Sequence, residues 1–164
     1  MKKKMTVLLA SVLLAVFVFA GCGGVAEIRK PAPSEGAAMF TVEGSCEAAV
    51  GAGVITVSGT ANLMSGTNGV IALMGADGED LGKVDFVMQA GEAITHEFAV
   101  DEGWPQHVYA FITFDTDQAK GQPREVTDVY GKKFENLEGE DVIWDLQGCI
   151  VSFMSGMVEI NSGN

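Results

Sequence analysis

From residue 39 onward, short runs of alternating apolar and polar residues are cut again and again by Gly, Asn and Asp, which restricts this stretch to strands joined by turns. The cuts carry recognisable turn chemistry: Ser65-Gly66-Thr67-Asn68-Gly69, Asp77-Gly78, Ala90-Gly91, and Asp101-Glu102-Gly103 ahead of Trp104-Pro105. Strands are expected over 39–42, 54–63, 70–75, 81–89, 93–100, 107–115 and 125–130, with one or two pieces within 142–160. No convincing helix is found. The nearest candidate, 46–51, is short and ends in Gly51-Ala52-Gly53. This many short strands without a helix indicate an all-β fold, an antiparallel β-sandwich, with a small barrel as the runner-up.

Two segments set the layering. Over 81–89, Val84, Phe86 and Met88 fall on one face and Lys83, Asp85 and Gln89 on the other, the pattern of a strand with one wet side. Over 107–115, Val108, Ala110, Ile112 and Phe114 alternate with Tyr109, Phe111 and Thr113, so both faces are apolar and the strand should be central. The preferred topology is the Greek-key order of an immunoglobulin-like sandwich. Asn62-Leu63 with Gly66-Thr67, then Tyr130-Gly131 with Glu135-Asn136-Leu137 and Gly139, resemble an immunoglobulin-like domain of uncharacterised exported proteins from Gram-positive bacteria. That resemblance covers most of 54–139 and implies a sandwich fold and no known activity.

The N-terminus is of another kind. Lys2, Lys3 and Lys4 precede an apolar run over 5–20, broken only by Thr6 and Ser11, and small residues follow, as in a secretory signal. Phe19-Ala20-Gly21-Cys22 closes the run and resembles the lipobox of a bacterial lipoprotein. The resemblance implies a diacylglyceryl group on the Cys22 thiol, removal of residues 1–21 and, often, acylation of the freed amine, so palmitate is the expected label. An uncleaved transmembrane anchor is the rival reading, since about 20 apolar residues can span a bilayer. Either way the lysines stay cytoplasmic and everything after Cys22 faces outward. A Gly- and Pro-containing linker over 22–38 should then tether a domain spanning 39–164; extended, its roughly 15 residues reach at most about 50 Å.

Loss of residues 1–21 removes three lysines and no acid, turning the net charge of −12 into −15 for the 143 residues that remain, the size of one domain. Such a surface repels phosphate backbones, which excludes nucleic acid partners, and it repels anionic headgroups, so membrane contact falls to the lipid alone. Two further cysteines remain, Cys46 and Cys149. A single pair in an exported protein reads as a disulfide closing a loop of roughly 100 residues, worth about 4–5 kcal/mol in the chain-entropy model; two buried free thiols are the alternative.

Catalytic motifs are absent from the sequence: no Gly-x-Ser-x-Gly elbow, no His-Glu-x-x-His, no phosphate loop. Gly51 and Gly53 lack the third glycine and the helix of a dinucleotide site. His96 belongs to the series Ile94, His96, Phe98, Val100 on one strand face and reads as a core residue, while His107 opens a strand after Trp104-Pro105-Gln106. Acidic loops at Asp77, Glu79 and Asp80, at Asp115 and Asp117, and at Glu138, Glu140 and Asp141 offer hard ligands for calcium, although solvated turns account for them more simply. Met64, Met74, Met88, Met154 and Met157 with the two histidines raise copper, although strand methionines usually fill cores. Trp104, Trp144, Tyr109 and Tyr130 would make a sugar or peptide platform if they surfaced together, and core fillers otherwise. The expectation is a non-enzymatic binding or accessory module with no cofactor, anchored by lipid at the bacterial cell envelope, whose loops or sheet edge meet an envelope protein or glycan. A small-ligand or metal-binding lipoprotein is the alternative.

Overall fold

The structure is a computed structural model that describes residues 30–116, 121–145 and 148–160. The expected signal peptide and Cys22 therefore lie outside the described residues. In chain order the elements are β1 (Phe40–Thr41), β2 (Gly44–Gly51), β3 (Val54–Ala61), β4 (Asn68–Gly75), β5 (Asp80–Val87) and β6 (Ile94–Ala99). They continue with β7 (His107–Phe114), α1 (Arg124–Tyr130), β8 (Leu137–Glu138), β9 (Val142–Trp144), β10 (Cys149–Met154) and β11 (Val158–Glu159).

The fold is all-β, with two antiparallel sheets packed face to face. One sheet runs β2-β3-β6 and the other β5-β4-β7-β10-β9, with β11 pairing the lower half of β7 below β10. The chain changes sheet between β3 and β4, between β5 and β6 and again between β6 and β7, the Greek-key order of an immunoglobulin-like sandwich. Period-two alternation sends Ile55, Val57, Ile71, Leu73, Val108, Ala110, Ile112, Phe114, Val151 and Phe153 into the space between the sheets, where all are buried. β7 is central, as its two apolar faces require, with β4 on one side and β10 and β11 on the other.

Two segments depart from the pattern. Residues 125–130, expected as a strand, lie in helix α1. Pro123 precedes the helix, Glu125 sits in its first turn and Gly131 follows with φ 90°. Val126 and Tyr130, four apart, put their side chains on one buried face, so Val126, Thr127 and Val129 imitate a strand in composition while the apolar spacing is helical. Conversely 46–51, too short for a helix, belongs to strand β2, paired with β3 along its whole length.

Between β7 and β10, residues 121–145 close one end of the sandwich. Gln122 anchors the start: its side-chain oxygen accepts the Asn68 N–H at 2.9 Å and its amide donates to the Asn68 and Asp115 carbonyls at 2.8 and 2.7 Å. Tyr130 is buried and its hydroxyl oxygen accepts the Met64 N–H at 2.8 Å. Phe134 and Leu137 are fully buried beneath it, and β8 pairs in parallel with β1. Buried Asn136 accepts the Ser34 N–H at 3.0 Å and donates to the Val129 carbonyl at 3.0 Å. The residues that carry the immunoglobulin-like resemblance, from Asn62 to Gly139, mostly converge on this cap. Ahead of β1, Lys30 lies over the Trp144 ring at 4.9 Å and the Ser34 N–H is bonded to Asn136, so this part of 30–38 touches the domain.

The expected disulfide between Cys46 and Cys149 is replaced by two free, buried thiols. The Cys46 thiol reaches the Ala110 carbonyl at 3.6 Å, near the backbone of Ser155, and the Cys149 thiol donates to the Phe134 carbonyl at 2.9 Å. Ser155 lies six positions along from Cys149, about 20 Å at ~3.3 Å per strand residue, whereas a disulfide needs α-carbons within about 7 Å. Burial pushes the Cys46 thiol up to about 11 and Cys149 to about 12, from an ordinary 9.0. Both are acids whose neutral form the fold favours, so the folded chain holds more protons than the unfolded one above pH 9. The stability they contribute is fully present below about pH 9 and lost as pH rises through 11 to 12. Denaturant midpoints should therefore fall steadily from pH 8.5 to 10.5, less steeply in Cys46→Ala, and unfolding without reductant should expose both thiols to alkylation. Blocked thiols in the unreduced, unfolded chain would restore the disulfide.

Candidate functional site

The two long sides of the sandwich are unlike. On one, β2 lies against β10 and β11 and draws the sheets together. On the other, β5 and β6 are both edges, each paired only inward, with β4 and with β3. Among the described residues no strand covers this side.

Each edge is shaped by its own sequence. β5 carries Lys83 and Asp85 outward and is paired to β4 across a register break between Leu73 and Met74, features that discourage further pairing. β6 reads Ile94-Thr95-His96-Glu97-Phe98-Ala99 and pairs with β3 in unbroken register. It has no Pro, no Lys and no bulge. The Val100 N–H bonds to the Gly53 carbonyl at 2.9 Å, and antiparallel alternation then turns the backbone of Phe98, His96 and Ile94 toward β3. The N–H and C=O groups of Thr95, Glu97 and Ala99, three exposed residues, point out from the edge.

Beneath that edge the gap between sheets is closed at one end and open at the other. At the closed end the Phe98 ring lies over Gly82, 3.4 Å from where a Cβ would stand, and His96 stacks edge-on against Phe98 with centroids 4.6 Å apart at 75°. At the open end is a cleft of about 180 Å³. Buried Ile71, Met88 and Ile94 with half-buried Phe86 make its walls, and Gln89, Glu92 and Thr95 its polar rim. A space of this order admits a benzene-sized group. Phe86 reaches it because Gly69 opposite has no side chain: a Cβ there would stand 2.5 Å from the ring.

The other candidates do not gather. His96 is half-buried on the inner face of the small sheet and His107 starts β7 in the large one, where its backbone carbonyl accepts the Ala76 N–H at 2.9 Å. The acidic loops make local turns: Asp77 accepts the Glu79 N–H at 3.1 Å and Asp80 the Gly82 N–H at 3.2 Å. Among the described residues no three His, Cys, Asp or Glu side chains converge as metal ligands. Met88 is in the core, whereas Met74 and Met154 are exposed on the outer face of the large sheet with Val87 and Ile143. The aromatic platform is dispersed: Tyr130 is buried in the cap, Tyr109 is on the outer face of β7, and Trp104 and Trp144 stand at opposite ends of the sandwich.

Sequence reasoning placed Ile94, His96 and Phe98 on one face but did not mark β6 as an open edge. One partial signal was available, the lack of Pro and Lys within 94–99; which strands the segments on either side of the 88–93 turn pair with is visible only in the fold. Compared with protein-family models, curated proteins and solved structures, the chain matches none.

Proposed function

We propose that this protein is a lipid-anchored, extracytoplasmic recognition module without catalytic activity, held at the bacterial cell envelope by acyl chains on Cys22 and meeting an envelope protein or glycan through its open β5–β6 side. Two inserted chains make such an anchor stable, at about 0.8 kcal/mol per buried methylene. Because Lys30 lies over the Trp144 ring, about eight residues separate Cys22 from the domain, a reach of at most roughly 28 Å. The module therefore works close to the membrane surface, where confinement raises its effective concentration for envelope partners. The observation that carries the reading is the uncovered β6 edge with an open cleft beside it, a backbone surface and a side-chain pocket on a rigid scaffold.

Growth with labelled palmitate tests the anchor. The wild-type chain should take up the label and fractionate with membranes, and Cys22→Ser should lose the label, stay uncut at residue 21 and release no mature form. A label that survives the substitution overturns the assignment.

A further inference from the structure

Resting on that reading, we propose that β6 accepts an extended, positively charged segment of a partner protein as an added strand, with one apolar side chain of that segment seated in the cleft walled by Ile71, Phe86, Met88 and Ile94. Three observations combine. The outward N–H and C=O groups of Thr95, Glu97 and Ala99 repeat at the spacing of a strand ladder, so an extended backbone laid along them gains main-chain bonds whatever its sequence. A strand in that position turns every second side chain inward between the sheets, and the cleft lies where the gap is open, at the Ile94 end. Charge then selects the occupant: between residues 31 and 116 the chain has twelve carboxylates and one cation, Lys83. Glu92 on the cleft rim and Glu97 on the edge itself are both exposed. An acidic segment would be repelled there and a Lys- or Arg-bearing one drawn in, with an association rate that falls as salt rises. A second copy of this chain brings the same carboxylates against each other and is disfavoured on the same ground.

Synthetic octapeptides supply the probe: alternating Lys and Val with one central Phe, the same peptide with Glu for Lys, and the Lys peptide N-methylated at alternate amides. Binding to the full chain in detergent micelles is read by calorimetry and amide NMR. The Lys peptide should bind and shift the amides of Thr95, Glu97 and Ala99, and the Glu and N-methylated peptides should bind at least about tenfold more weakly. Thr95→Pro removes one outward donor while leaving the β3 pairing intact, since proline is tolerated where the N–H faces away from the ladder. It should weaken the Lys peptide about tenfold with the melting temperature little changed. Should that variant not fold, Glu97→Lys serves instead and should weaken the Lys peptide while improving the Glu one. Equal binding of the Lys and Glu peptides, or binding indifferent to both N-methylation and Thr95→Pro, overturns the proposal. So does self-association of the chain through β6, which would make a second copy the occupant. Loss of peptide binding with palmitate labelling intact sinks this inference alone, and loss of labelling with peptide binding intact sinks only the anchor.

Discussion

Phe134→Ala should cost about 3–5 kcal/mol of folding stability, the range for emptying a fully buried phenylalanine site. The side chain has no exposed surface, its ring packs edge-on against Tyr130 at 6.0 Å and 87°, and its carbonyl takes both the Cys149 thiol at 2.9 Å and the Leu137 N–H at 3.0 Å. It is the point where the cap over the sandwich is tied to β10. Its backbone is in the left-handed region, φ 55°, where an L side chain carries a strain of roughly 1 kcal/mol or more that glycine does not. The burial of the ring offsets that strain, and the two effects separate by substitution. Phe134→Ala loses the ring and keeps the strain, whereas Phe134→Gly loses the ring and relieves it. Phe134→Gly should therefore be no less stable than Phe134→Ala in urea unfolding, the reverse of the usual order for a buried position. A loss below about 1 kcal/mol in Phe134→Ala would mean that the cap does not depend on this ring.

That site also shows where sequence stops being informative. The strands of the two sheets could be read because each buries one face, and burial imposes a period of two that survives in residues such as Val84 and Phe86 or Val108 to Phe114. The 115–148 crossover obeys no single period. Its helix is seven residues long and built around two apolar positions, Val126 and Tyr130, among β-branched neighbours that favour strands. Its stability comes from packing on the end of a sandwich that must already exist, a tertiary effect that no local window contains. The cysteines misled for a related reason. Exported context and a count of two suggest a bridge, but pairing depends on separation in space, and β2 and β10 bring Cys46 beside Ser155 rather than beside Cys149. The open edge is a property of strand order: Ile94 to Ala99 has the same composition whether or not another strand lies beyond it. Only the identity of its neighbours leaves the backbone of Thr95, Glu97 and Ala99 facing outward.

Gly59→Ala should destabilise the sandwich by about 3 kcal/mol or more, at the upper end of overpacking effects. The glycine sits inside β3 on the face turned toward the large sheet, paired with Cys46 of β2. A Cβ placed there would collide with the Ser45 carbonyl oxygen and stand 2.5 Å from the Ile112 Cδ1. The first obstacle is backbone in a ladder that cannot yield without breaking β2 from β3; the second comes from the central strand of the opposite sheet. Gly44 repeats the arrangement at the start of β2, where a Cβ would meet the Thr60 carbonyl and the Phe153 ring. The two glycines thus let β2 and β3 settle onto Ile112 and Phe153, closing the side of the sandwich opposite to β5 and β6. Gly51→Ala provides the contrast within the same strand pair, since a Cβ there meets nothing within 4 Å and the backbone is not left-handed. It should be neutral or stabilising by up to about 1 kcal/mol, through the smaller entropy of the unfolded chain. If Gly59→Ala and Gly51→Ala gave equal denaturant midpoints, the sheets would not approach at Gly59 as closely as Ser45 and Ile112 require. The asymmetry between a closed β2–β10 side and an open β5–β6 side would then lose its physical basis.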